Sequence, residues 1–184
     1  MVRRSGTFAL AAILIIAWFA IARGRETVTI YELAHRGGAS LDAVRHGAVW
    51  QLVTSQFVHV RRAHMLLNVI ELLLLGWWLE PRLRTGRFLA IHLAGGAIGQ
   101  LAILLTNQIA TGASQSIAAL AGAATLHART RAERSCVAIV LMLIAALDLW
   151  FARTLKIGHV AGFFAGLLMN ILLRPGRILG ARRQ

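Results

Sequence analysis

The residues of this chain with the strongest claim to chemistry are His64, Asn68, Ser114 and His159. A serine hydroxyl becomes a useful nucleophile when a base takes its proton, and histidine is the usual base. The oxyanion that forms when a carbonyl is attacked needs fixed donors. A histidine N–H, an asparagine amide and backbone N–H groups can supply them. His64 and Asn68 are four residues apart and so share one face of a helix. Ser114 follows closely on Gly112, which permits a tight approach and an unusual backbone angle. A helix that starts at Ser114 would add free N–H groups and a partial positive charge at the point of attack.

These residues need elements to position them, and composition says what kind. Of the 184 residues, 58% are hydrophobic and 15% charged, against about 45–50% and about 25% in soluble domains. One small core cannot hide that apolar excess, and lipid is its natural solvent. Six apolar runs, at about 8–22, 64–79, 88–105, 114–126, 137–152 and 157–173, approach the roughly 20 residues needed to cross a bilayer. Tilt or snorkelling ends would absorb the shortness of several. The fourth run is rich in alanine and carries Gly122, and small side chains let helix backbones approach closely, which predicts a central place in the bundle. The expected fold is all-α: a polytopic six-transmembrane-helix bundle forming one domain over residues 1–184. Its first external loop, at about 23–62, has apolar residues of its own and is expected to pack on the membrane surface.

The net charge is +13. The charges form short clusters between apolar runs rather than one basic face, which argues against a nucleic-acid partner and for encoded topology. Twelve of the 20 basic residues fall on one side: Arg3 and Arg4, the groups around Arg84 and Arg131, and the four from Arg174 to Arg183. The bias predicts both termini in the cytoplasm. A competing reading takes the first run as a signal peptide cleaved after Ala20-Ile21-Ala22; a retained helix is favoured, and the other spans keep their orientation either way. The single cysteine, Cys136, excludes an internal disulfide. No metal-ligand set of suitable spacing is present, so neither metal nor cofactor is implied.

Depth separates the polar residues inside the spans. His64, Asn68, Ser114 and His159 lie on three helices, each within about a turn of the outer surface, whereas His92, His127 and Asn170 lie towards the inner one. A lone serine in a membrane helix usually bonds its own backbone, and a lone histidine at a span end is usually interfacial. Shared side, depth and type raise a serine hydrolase to stand beside a structural polar cluster or a small transporter.

The stretch from Trp50 to His59, followed by His64 and Asn68, resembles the entry to the second helix of the rhomboid intramembrane proteases. The spacing H-x4-H-x3-N is matched at His59, His64 and Asn68. Gly112-Ala113-Ser114 resembles that family's G-x-S nucleophile motif, and His159 with Gly162 and Gly166 resembles its base motif. The likeness runs from about Gly38 to Leu172, with the catalytic core at about 50–172. It implies Ser114 as nucleophile and His159 as base, with His64 and Asn68 lining the oxyanion hole. His59, Gly112, Gly162 and Gly166 would support the site. It further implies an enzyme in the cell (inner) membrane whose active site faces the extracytoplasmic side. Its partners would be the lipid bilayer and membrane protein substrates, cut in transmembrane segments that unwind to expose their carbonyls. A catalytically impaired relative that only binds membrane proteins is the alternative.

The chain departs from the pattern at several points. Gln115 stands where glycine usually follows the nucleophile, Ala118 where a tyrosine often packs on the base, and Gln51 where an arginine usually follows Trp50. The family works with a Ser–His dyad, so no acidic third member is expected. Asp148 could in principle orient a histidine, but is assigned to the outer interface or to a neighbouring helix; Glu71 could be a buried, protonated partner for its helix face, but is assigned to a hydrogen bond within the bundle.

Overall fold

The structure, a computed structural model, describes residues 4–152 and 156–173. The basic residues at 3, 153 and from 174 onward, which entered the orientation argument, lie outside the described residues. Each of the six apolar runs is helical. α1 is Ser5–Ala22, α5 Arg62–Leu83, α8 Ser114–Thr125, α9 Arg131–Ala152 and α10 Ile157–Leu172. The third run is one helical stretch, Thr85–Leu104, made of α6 (Thr85–Ala90), a π-helical segment (Ile91–Gly95) and α7 (Gly96–Leu104). Among the described residues, three helices, α1, α5 and Thr85–Leu104, are long and apolar enough to cross a membrane, and α10 is a shorter apolar helix. Large apolar side chains such as Ile16, Phe19, Leu105, Met142 and Phe164 point outward and exposed. An outer surface of this kind is stable only in lipid, and the chain is an integral membrane protein.

The bundle is built around α8. Every residue from Ser114 to Ala124 is buried. Its small side chains let α10 lie directly against it. A Cβ on Gly162 would overlap the carbonyl oxygen of Gln115, one on Gly166 that of Ala119, and one on Gly122 that of Phe163. Glycine spacing on α10, one turn apart each time, therefore sets the distance between the two helices.

α1 leans on α5, where a Cβ on Gly76 would collide with Thr7. Their union is tied at one end by Glu80. Its carboxylate accepts from the backbone N–H of Gly6 at 2.9 Å and Thr7 at 2.8 Å, and from the hydroxyls of Thr7 at 2.6 Å and Thr85 at 2.7 Å. An anion on the unpaired N–H groups of a helix start satisfies both hydrogen bonding and the helix dipole.

The segment between α1 and α5 is folded, as its apolar residues suggested. It holds α2 (Ile30–His35), α3 (Leu41–Arg45) and α4 (Gln51–Thr54), then a 3-10 turn at Ser55–Phe57. Thr29 and Ser40 cap α2 and α3 through their side chains. Ala39 and Ala110 exchange backbone hydrogen bonds of 3.0 and 2.8 Å, which pin this segment to the loop before α8.

Candidate active site

Ser114 is the first residue of α8, and the turn before it is held from three sides. Gly112 has φ +96°, and a Cβ there would stand 3.2 Å from the His64 ring. That conformation and that proximity both require glycine. The Gly112 N–H donates to the Ser55 carbonyl at 2.8 Å, and the Gln100 amide donates to the Gly112 carbonyl at 2.9 Å. The Ala113 N–H reaches His59 Nε2 at 3.3 Å.

His59 receives a second donor at the same atom, the Asn68 amide at 2.9 Å. Because Ala113 can only donate, Nε2 is the acceptor and the ring proton sits on Nδ1. The Asn68 amide is therefore engaged with His59 through one N–H, and its carbonyl oxygen is turned away from that bond. His64 stacks edge-on against His59 with centroids 5.3 Å apart. The spacing of His59, His64 and Asn68 thus becomes one cluster around the turn that carries the serine.

His159 comes from the first turn of α10. Its Nε2 lies 2.7 Å from Ser114 Oγ. The serine has a second neighbour, Gln115 Oε1, at 3.3 Å. A hydroxyl has one proton to give, and the shorter contact lies near the ideal length while the longer lies beyond the usual range. The imidazole is the better acceptor, so the glutamine touches the Ser114 hydroxyl without taking its proton.

On its other side His159 departs from expectation. Nδ1 lies 2.6 Å from Asp148 Oδ2. The same carboxylate accepts the Lys156 backbone N–H at 2.9 Å, and the Lys156 ammonium stands 3.8 Å from Oδ1. Asp148 therefore does not reach for the outer interface; it bonds the imidazole of the next helix in the chain. A signal for this was present in the sequence. Asp148 lies near the end of the fifth apolar run and His159 near the start of the sixth, at similar depth.

Ser114, His159, His64, Asp148 and Gln115 line a cavity of about 340 Å³. Glu71 also lines it, buried, with both carboxyl oxygens unpartnered. The bundle hydrogen bond expected for Glu71 is not formed among the described residues. A second, mostly apolar cavity of about 270 Å³ adjoins His159, lined by Ala118, Ile144, Phe163 and Phe164. The small Ala118 thus leaves open space beside the base.

Gln100 stands among the polar residues that the sequence places inside the spans, whereas nothing in the sequence assigned Gln56 a role. Gln56 donates to the Leu93 carbonyl in the π-segment at 2.9 Å and accepts from Ser116 at 2.7 Å. It joins the first loop, α8 and the local widening of the third helix. Gln100 is a long amide within the third apolar run, a type that needs partners at depth, and Gln56 is buried in the turn before α5. Asn170 lies at the other end of the bundle, donating to the Ala123 carbonyl at 3.0 Å and approached by Arg87 and His127.

Comparison with known proteins identifies the family. The Rhomboid domain family model matches residues 46–176. RHOMBOID-like protein 5 of Arabidopsis thaliana is 29% identical over 160 residues, covering 80% of this chain and 52% of its own length. The rhomboid relative YdcA of Bacillus subtilis is 28% identical, covering 90% of this chain and 80% of its own length. Rhomboid protease GluP of the same organism is 27% identical, covering 87% of this chain and 33% of its own length. The chain spans about half the length of the Arabidopsis protein and a third of GluP. With the family model matching well over half of its residues, the chain belongs to the rhomboid family.

Proposed function

We propose that this protein is an intramembrane serine endopeptidase that cuts transmembrane segments of other membrane proteins. Ser114 is the nucleophile and His159 the general base. The observation that carries the reading is the 2.7 Å contact between Ser114 Oγ and His159 Nε2, made inside a cavity. In the first step Oγ bonds to the scissile carbonyl carbon while its proton passes to Nε2. The carbonyl electrons move onto oxygen, next to the Ser114 N–H at the start of α8 and the side chains of His64 and Asn68. Collapse of this intermediate expels the amine, which takes the proton back from Nε2. Water then repeats the sequence on the acyl-enzyme.

In this reading the six helices all span the bilayer within one domain, both termini are cytoplasmic, and the Ser114 end faces the extracytoplasmic side of the cell membrane. Helical substrate hides its carbonyls in its own hydrogen bonds, so it must unwind before it can be attacked. A binding-only role is the second reading, and the Gln115 contact with the nucleophile is what favours it. Co-expression with a model transmembrane substrate separates the two. The parent should release a cleaved fragment, and Ser114→Ala and His159→Ala should release none. Cleavage that survives Ser114→Ala would overturn the assignment. A reporter fused after Gln184 should read cytoplasmic.

A further inference from the structure

We infer that Asp148 is a positioning residue for His159, so that this site works as a Ser–His–Asp line rather than as a Ser–His pair. The inference rests on the protease reading above. Three observations meet at this residue. Its Oδ2 is 2.6 Å from His159 Nδ1, and the opposite ring nitrogen is 2.7 Å from Ser114 Oγ. Its side chain is buried at 2% exposure, and the Lys156 backbone N–H fixes the same oxygen at 2.9 Å. Finally, Ala118 leaves the apolar cavity open beside the ring, so packing alone holds the imidazole less firmly on that side.

The consequence is chemical. A carboxylate facing Nδ1 requires the proton on Nδ1, which leaves the Nε2 lone pair aimed at the serine. When Nε2 takes the serine proton, the ring becomes a cation in surroundings with little water. The carboxylate 2.6 Å away offsets that charge where it forms. No proton moves to Asp148; it orients the ring and stabilises the imidazolium. The Lys156 ammonium, 3.8 Å from Oδ1, places a positive charge on the outer side of the carboxylate.

A plain structural role is the rival, since Asp148 also joins α9 to the start of α10. Asp148→Asn separates them, because its amide oxygen can keep both contacts of Oδ2, with the Lys156 N–H and with Nδ1–H, while the negative charge is lost. We expect kcat for a model transmembrane substrate to fall by at least ~100-fold with KM changed less than about threefold, as when a triad carboxylate elsewhere is made an amide. Imidazole ¹⁵N spectra of the detergent-solubilised protein carrying Ser114→Ala should show His159 as the Nδ1–H form, with a shift away from that form on adding Asp148→Ala, which removes the acceptor at Nδ1. This second readout needs no turnover, so it judges Asp148 even if the chain proves not to be a protease. Asp148→Glu, which keeps the carboxylate on a longer arm, should retain the Nδ1–H form and more activity than the amide. Unchanged kcat in folded Asp148→Asn, or an unchanged tautomer in the spectra, would overturn the inference. So would an Asp148→Glu protein that folds yet loses the Nδ1–H form.

Discussion

The two ends of the helix bundle are both polar, yet they are built differently. At the end away from Ser114, the Glu80 carboxylate accepts four hydrogen bonds, and Asn170 bonds the Ala123 carbonyl while Arg87 and His127 approach it. These groups are surrounded by their partners. At the Ser114 end the hydroxyl and imidazole pair on one side and open on a cavity of about 340 Å³ on the other. Glu71 stands in the same cavity with no partner for either oxygen. Polarity at depth does not by itself mark a reaction site. A polar group satisfied on every side holds helices together, and one satisfied on one side and facing space is placed to act on something else.

The comparison can be broken by substitutions whose effects should divide between stability and turnover. The largest effect is expected at the contact that both ends depend on. Gly166→Leu would drive a side chain into the Ala119 backbone, and the folded protein should not accumulate in membranes. At the satisfied end, Glu80→Ala leaves the N–H groups of Gly6 and Thr7 without acceptors. It should lower stability by about 2–4 kcal/mol, read by unfolding in detergent, with cleavage per folded molecule retained. At the open end, Gln115→Gly removes the second acceptor from the nucleophile. It should raise kcat by about twofold to tenfold with little change in stability, the mark of a group that touches the reaction rather than the fold. If Glu80→Ala instead removed activity from folded protein, the division between the two ends would fail.

The smallest effect concerns pH. Glu133, in the first turn of α9 ahead of the apolar run, meets Arg82 at 2.6 Å and accepts the Arg129 and Thr130 N–H groups. Those contacts, Arg82 first, lower its carboxyl from the ordinary 4.5 to about 2. A lowered carboxyl stabilises the fold above its unfolded value and loses that contribution as pH falls through the folded one. The stability difference between parent and Glu133→Gln should therefore be full above about pH 4.5 and vanish near pH 2.

Much of the fold was legible because lipid imposes a strong rule: apolar runs must become helices, and all six do. The alanine-rich fourth run was legible as the centre for the same kind of reason, close approach of small residues. The π-segment at Ile91–Gly95 was not. It is held by tertiary contacts, with Gln56 on the Leu93 carbonyl and Gly95 pressed on Ala119, and local sequence does not encode these. At the site, residue type and depth brought His64, Asn68, Ser114 and His159 into view. The partner of each was harder to read. Asn68 goes to His59, and Asp148 goes to His159. Average habits of intramembrane carboxylates offered Asp148 the outer interface or a neighbouring helix, and the structure gives it the second, through His159 of α10.

The central claim is that His159 activates Ser114. Labelling with a serine-directed fluorophosphonate in native membranes tests it most directly, because it needs no knowledge of the substrate. The account predicts that the parent is labelled, that Ser114→Ala is not, and that His159→Ala labels at least ~100-fold more slowly. Equal labelling of the parent and His159→Ala, or labelling that persists without Ser114, would contradict it.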